Sequence, residues 1–411
     1  MAGHGCTRRS GAVSGAELRR RHSGRLWVTP GAKPVLGPST PVLIDGVRTP
    51  FGRRGGALSA WKPVGLLRHV IEALLTRTGI SPSMVDQIVG GCVTQVGDQG
   101  LNVTRNAWLA TGHDPSPGCT TIDASCGSGQ QAAHLAAALI AAGAAQVTIA
   151  CGVESMSRAP AGSNVPAGIA SLKLDDHPWD DPRGVQFGGA ERVADLAQLG
   201  RRELDCYGVL SQTRAAVATE QGRFRAEMVP VAGLTVDEGL RPAALDLLSR
   251  LPPVLRGGRH TAATSSQVSD GASAMLWTSY RMAQLLRLQP LAWLRAQVLR
   301  GSPPAELLTG PLVATAPCLR KAGVRIEDLD IVEINEAFAS VPLAWCREYG
   351  RSPEEINVDG GAIALGHPLG ATGGRLLMHA ARQLHRTDGE LALVSVCCGG
   401  AMGAATVLQR L

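Results

Sequence analysis

The sequence predicts an α/β protein made of two like halves, with an insertion in the first. Three observations carry this. Short apolar runs alternate with helix-periodic segments from residue 41 to the end. A weak internal repeat links the halves at offsets of roughly 240–246 residues: Val85–Val89 (VDQIV) is echoed by Leu329–Val332 (LDIV), and Val147–Met156 by Leu393–Met402. Between them, residues 158–261 change texture to loops, scattered helices and basic irregular stretches. Four segments follow: 1–39, 40–157 with 262–289, the insertion 158–261, and 290–411.

Taken in order, residues 1–39 are rich in Gly, Ser and Arg with one acid, Glu17, and no sustained periodicity, the composition of a disordered extension. An Arg-rich, acid-poor leader also suits a mitochondrial transit peptide. The general excess of Arg over Lys instead suggests a GC-rich bacterial gene and a cytoplasmic protein. Pro41–Pro50 reads as a strand with a Pro-marked exit, Val64–Arg77 as a helix with one leucine face, and Val85–Cys92 as a buried strand. Asn102–Thr111 is helical. A strand at Cys119–Asp123 enters Ser-Cys-Gly and then an Ala/Leu helix that stops at Gly143. Gln146–Cys151 is a strand. In the insertion, Glu191–Leu199 and Glu203–Gly222 are helical. Beyond it, Ala272–Trp277, Leu291–Leu299, Asp330–Ile334 and Leu391–Val396 are strands, and Thr309–Gly323 is mainly helical. Asn357–Gly374 is a Gly-rich loop before a helix over Gly374–Leu384, and Ala404–Leu408 is an edge strand.

Composition narrows the function. The net charge is +6 and much of the excess arginine precedes residue 60, so the body is no nucleic-acid binder. No apolar run reaches the roughly 18 residues of a membrane helix. The ten cysteines form no C-x-x-C pairs and no zinc spacing, and read as reduced intracellular thiols.

Four junction segments carry the chemistry. Cys126 stands where a strand meets a helix, so the helix N-terminus should favour its thiolate. Asn335–Phe338 (NEAF) follows a buried strand. Gly360–Arg375 holds His367 in a Gly-rich loop, and Cys397–Gly403 (CCGGAMG) follows the last core strand. Together they supply a nucleophilic thiol, an imidazole to activate it, an amide for a polar pocket and a second thiol to move protons. Cys, His and Asn also make up a cysteine-protease set, which needs neither the second cysteine nor a repeat.

These segments resemble the thiolase family over about residues 41–411. D-x-x-C-G-S-G-Q-Q-A matches its nucleophile segment, and Asn357–Arg375 is similar to its His loop. CCGGAMG matches C-x-G-G-G-x-G with Ala401 in place of a glycine, which makes Cys397 the second catalytic cysteine and leaves Cys398 at the variable position. Ser265–Ala272 resembles a coenzyme A-contacting segment, pointing to Ser266, although the usual Gly-Asn before it is Ala263-Thr264 here.

The resemblance implies the thiolase fold: two mixed-sheet α/β domains in α-β-α-β-α layers, with a loop domain in the first that carries the CoA and acyl pockets. It implies cleavage of a 3-oxoacyl-CoA by CoA through an acyl-Cys126 intermediate. His367 would activate Cys126 and, with a water held by Asn335, bind the enolate oxygen. Cys397 would exchange protons, and the N–H groups of Cys126 and Gly399 would form a second oxyanion hole. No bound cofactor or metal is expected, CoA is the co-substrate, and a homodimer or homotetramer is expected. Several segments, among them IVGGCVTQ and DIVEINEAFASV, resemble actinobacterial thiolases of steroid side-chain degradation. The alternatives are an acetyl-CoA acetyltransferase making or cleaving acetoacetyl-CoA, and a silent thiolase-like protein that binds CoA or lipid. Condensing enzymes of the same fold lack the second cysteine, so Cys397 separates them.

Overall fold

The structure, a computed structural model, describes residues 36–165, 176–179 and 185–411. Most of the extension expected over 1–39, and part of the insertion, lie outside the described residues. The first half contributes β1 (Pro41–Arg48), β2 (Gly52–Arg53), α1 (Pro63–Thr78), β3 (Gln87–Gly91), α2 (Val103–Leu109), β4 (Gly118–Ile122), α3 (Ser128–Ala141) and β5 (Val147–Ser155). The insertion adds α4 (Gln186–Leu196), α5 (Arg201–Glu220) and the single turn α6 (Leu245–Leu248); β6 (Ser269–Ser279) and α7 (Tyr280–Leu285) follow. The second half holds β7 (Ala292–Gly301), α8 (Gly310–Ala322), β8 (Ile331–Ile334), α9 (Ser340–Tyr349), α10 (Ala362–Leu365), α11 (Leu369–Thr387), β9 (Leu391–Cys398) and β10 (Met402–Arg410).

The strands run β4-β3-β5-β6-β1-β7-β10-β9-β8, with β2 on β6. The path is two sheets meeting at a corner, because β1 and β7 share only the pairs Val42↔Trp293 and Leu43↔Ala292. The repeat is visible in the topology. β3 is parallel to β5 as β8 is to β9. β5–β6–β1 and β9–β10–β7 are then antiparallel in the same order. The matching aspartates do the same work: Asp86 Oδ2 accepts from the N–H groups of Gln146 and Val147, and Asp330 Oδ2 from those of Glu390 and Leu391.

Burial sorts the helices into layers. α1 and α2 pack with Val42, Ile88, Ile149 and Leu276 on the outer face of the first sheet. α8 and α9 pack with Val332, Leu393 and Val407 on the outer face of the second. Between the sheets lie α3 and α11, with Leu43, Ala150 and Met275 on one side and Ala392, Val394 and Leu408 on the other. The result is α-β-α-β-α. Apolar burial on both faces explains why β5, β6 and β9 read as continuous rather than alternating apolar runs.

Two expectations need correction. The helix placed at Gly374–Leu384 begins at Leu369 and runs to Thr387. Its glycines are needed for contact, not flexibility: a Cβ at Gly373 would lie 2.1 Å from the Gln130 nitrogen, and one at Gly374 2.4 Å from Ser273 Oγ. The strand at Ala404–Leu408 is no edge; β10 spans Met402–Arg410 and sits between β7 and β9. The edges are β4 and β8.

Candidate active site

Cys126 is presented by a strained turn. Asp123 Oδ1 accepts from the Ser125 N–H at 2.7 Å, and Ser128 Oγ accepts from the Ala124 N–H while donating to the Ser125 carbonyl. Ser125 is held at φ 50°, a conformation that costs a non-glycine residue about 1 kcal/mol or more. Gly127 is the N-cap of α3, so Cys126 stands one residue before the cap. A Cβ at Gly127 would lie 2.4 Å from Cys398 Sγ, so glycine there admits the neighbouring thiol.

The expected thiolate is not the resting state. Burial pushes the Cys126 thiol up to about 11, although the N–H groups of Gly399 and of Cys126 itself pull it down. Cys126 is half-buried, and two N–H groups at a helix threshold do not offset the water its sulfur loses. Cys397, at the end of β9, is fully buried. Burial and the adjacent Cys126 and Cys398 hold its thiol well above the ordinary range. Cys126, Cys397 and Gly399 therefore share one pocket. Ala401, in place of the motif's glycine, sits at φ 57°.

His367 enters from the other half. Gly366 before it has φ 105°, and a Cβ there would lie 2.4 Å from Ser269 Oγ, so only glycine fits this turn. Burial, and then the charge of Arg375, lower His367 to about 3, leaving a neutral imidazole. Thr372 Oγ1 donates to the Pro368 carbonyl at 2.9 Å and lies 2.8 Å from His367 Nδ1. Since the hydroxyl proton is engaged, Nδ1–H is the donor to Thr372, and the Nε2 lone pair faces the site. It meets Asn335 Nδ2 at 3.4 Å, while Asn335 Oδ1 is buried with no protein partner among the described residues.

The two central helices that follow Cys126 and His367 cross closely. A Cβ at Gly129 of α3 would lie 2.5 Å from the Gly370 carbonyl oxygen of α11. Ser266 sits beside them, its N–H donating to the Ala337 carbonyl at 2.9 Å, and the His367 N–H donates to the Gln267 carbonyl at 3.2 Å. Cys126, Cys397 and Gly399 thus form one group and His367, Asn335 and Ser266 a second, with Gly129 and Gly370, three residues beyond Cys126 and His367, in contact.

Several residues there escaped the sequence reading. Glu336 is buried, accepts from Tyr207 Oη, Ser211 Oγ and the Ile363 N–H, and so ties the insertion to the NEAF turn and the His loop. Glu154 receives the N–H groups of Val93, Thr94 and Gly370, fixing the first turn of α11. An acid beside Asn335 and another in GVES were visible, but nothing local indicates burial. Gln186, whose Nε2 would lie 3.2 Å from a Cβ at Gly399, carries no motif. In the insertion, a cleft of about 170 Å³ is lined by Arg241, Leu247, Leu251 and Ala263, three residues before Ser266.

Family comparison identifies the two halves. The thiolase N-terminal domain model matches residues 41–281 and the thiolase C-terminal domain model residues 288–410. The chain belongs to the thiolase family. This thiolase is 41% identical over 381 residues to the steroid 3-ketoacyl-CoA thiolase FadA6 of Mycobacterium tuberculosis, covering 90% of this chain and 94% of that one. It is 38% identical over 388 residues to an acetyl-CoA acetyltransferase of Chromobacterium violaceum, covering 90% and 99%. Human mitochondrial 3-ketoacyl-CoA thiolase in complex with CoA superposes with a TM-score of 0.83 at 34% identity, covering 92% of this chain and 99% of that one. The thiolase is accordingly an acyltransferase of the thiolase fold. Among the described residues no helix is long and apolar enough to cross a membrane.

Proposed function

We propose that this thiolase works in the degradative direction, cleaving a 3-oxoacyl-CoA with CoA to acetyl-CoA or propionyl-CoA and a shortened acyl-CoA. The observation that supports it is the close α3–α11 crossing, with Cys126 three residues before Gly129 on one helix and His367 three residues before Gly370 on the other. Cys126 Sγ attacks the 3-oxo carbon as its proton passes to His367 Nε2. The large gap between a thiol near 11 and an imidazole near 3 makes transfer concerted with attack rather than prior to it. The Cα–Cβ bond breaks, and the enolate oxygen is held by His367 Nε2–H and by water on Asn335. Cys397 protonates the carbon, then takes the proton of incoming CoA as its sulfur attacks the acyl-Cys126 carbonyl. The oxygen of that intermediate lies on the N–H groups of Cys126 and Gly399. Collapse releases Cys126, which recovers its proton from His367. Each lost oxyanion donor costs about 3–4 kcal/mol in the barrier.

CoA would pass Ser266, with its charged end at the Arg241 cleft: an exposed cation beside leucines suits a nucleotide with phosphates. The relationship to a steroid 3-ketoacyl-CoA thiolase favours a bulky or branched acyl group. A relative called an acetyl-CoA acetyltransferase keeps acetoacetyl-CoA as the second reading. A thiolysis panel from acetoacetyl-CoA to a steroid side-chain 3-oxoacyl-CoA, with peptide mass spectrometry, tests both levels. We expect an acyl adduct on Cys126 and highest kcat/KM for the bulky substrate. An adduct on Cys398, or a preference for acetoacetyl-CoA, refutes the site assignment or the substrate respectively. We place the enzyme in the cytoplasm on its reduced cysteines, nine of which are free among the described residues.

A second copy of the chain is the proposed partner. β4 forms an edge that no described strand covers, beside an open apolar groove containing Thr120, Leu135 and Leu139. An exposed edge strand with apolar flanks is a pairing surface. Thr120→Lys should shift the sedimentation coefficient to that of a smaller species; an unchanged value places the interface elsewhere.

A further inference from the structure

Glu333 on β8 and Asn335 just beyond it are two residues apart and share a face of the strand. That face meets α11. Gln383 Nε2 donates to Glu333 Oε1 at 2.7 Å, the Arg375 guanidinium stands 3.9 Å from Glu333 Oε2, and Asn335 meets His367 at the catalytic end. Arg375, Glu333, Gln383 and Asn335 are completely buried. Yet, the long Arg375–Glu333 ion pair aside, six polar atoms on this seam make no hydrogen bond to protein among the described residues: Asn335 Oδ1, Glu333 Oε2, Gln383 Oε1, and Nε, Nη1 and Nη2 of Arg375. A buried guanidinium none of whose donors makes a hydrogen bond to protein is far from the usual state of a native interior.

Donors and acceptors face the same seam. An anion would satisfy Arg375 and leave three acceptor oxygens unpaired, and a cation would do the reverse. Water supplies both functions and makes about three hydrogen bonds in such sites. We propose that the β8–α11 seam binds a file of ordered water anchored by Arg375 and Glu333, which holds the Asn335 amide in register. Arg375 is then a positioning residue for the carbon–carbon half of the reaction. It touches no substrate: it fixes the group that carries the enolate-binding water. The inference rests on the thiolase reading of the site.

The test separates two half-reactions in the full-length protein. Acetylation of Cys126 by acetyl-CoA, followed by rapid-quench mass spectrometry, reports the Cys126/Gly399 hole. Deuterium exchange into the acetyl methyl of acetyl-CoA, followed by NMR, reports enolate formation at His367 and Asn335. The paired variant E333Q/R375M removes both charges together, so neither is left buried alone. Its exchange rate should fall about 100-fold, the scale of a small misplacement of a catalytic group. Its acetylation should stay within about threefold of the parent. R375K, with charge but fewer donors, should lose about tenfold in exchange only. Unchanged exchange in E333Q/R375M overturns the proposal, as does a parallel fall of both half-reactions. If E333Q/R375M does not fold, R375K decides on the same criterion. A parent that neither acetylates nor exchanges refutes the thiolase reading instead.

Discussion

At the residue scale, the sulfur and nitrogen proposed to carry the chemistry are both kept uncharged. Cys126 is held near 11 and His367 near 3 by burial. A raised thiol pKa means the thiolate is scarce at neutral pH and grows as pH rises toward 11. Alkylation of Cys126 by iodoacetamide, read by peptide mass spectrometry, should therefore climb steadily through pH 9. It should not level off near the ordinary thiol value of about 8.5. A plateau below pH 8 would mean a thiolate preformed at rest. The sequence pointed to Cys126 as a candidate nucleophile but misjudged its charge state: helix position is local and legible, whereas desolvation depends on residues far along the chain, such as Cys397, 271 positions away (397 − 126).

At the element scale, α3 and α11 decide the geometry, and glycine decides how closely they approach. Replacing Gly129 by alanine puts a Cβ 2.5 Å from a backbone carbonyl, which cannot rotate away. We expect Gly129→Ala to cost about 1–3 kcal/mol of stability and, by parting Cys126 from His367, about 100-fold in kcat/KM. Thermal unfolding and steady-state thiolysis measure the two; wild-type activity at lowered stability would show that the crossing does not set the site. These glycines also explain where reading by element failed. A Gly-rich stretch ordinarily signals a loop, and Gly370, Gly373 and Gly374 hid the first turns of α11. The glycines serve packing against α3 and β6, a tertiary demand that local propensity does not encode. The strands were plainer, because β5, β6 and β9 are apolar throughout.

At the scale of the whole molecule, a buried charge network joins the insertion, β1 and α11. Arg48 donates to Glu227 and Asp237, and His379 bridges Glu227 at 2.9 Å and Asp359 at 3.1 Å. Burial alone would lower His379, but Glu227 and Asp359 outweigh it and raise it to about 9. Burial likewise opposes the Glu227 anion, yet His379 and Arg48 hold it down to about 2. A raised histidine stabilises fully below its unfolded value of about 6.5 and loses that contribution as pH rises through 9. A depressed carboxylate contributes above about 4.5 and loses it as pH falls through 2. The melting temperature should thus be highest near pH 5–6 and decline on both sides, with His379→Gln flattening the alkaline decline. An equally steep alkaline limb in that variant would remove His379 from the account. The network was not apparent in the sequence, since its members are scattered along the chain and only Asp359 lies in a motif. The repeat, by contrast, was legible, because Asp86 and Asp330 sit at matching places in matching strands.

Cys126 precedes the first residue of α3 by two positions, and His367 precedes the first residue of α11 by two. The proposed electron-pair donor and proton acceptor thus stand at matching places in the two halves. A pair of identical units would place identical side chains at both places, giving two thiols or two imidazoles but not one of each. Gene duplication within one chain lifts that constraint, since each copy of the loop can then mutate alone. The asymmetry on which the chemistry depends is therefore open to a fused pair of units and closed to a symmetric pair of separate chains.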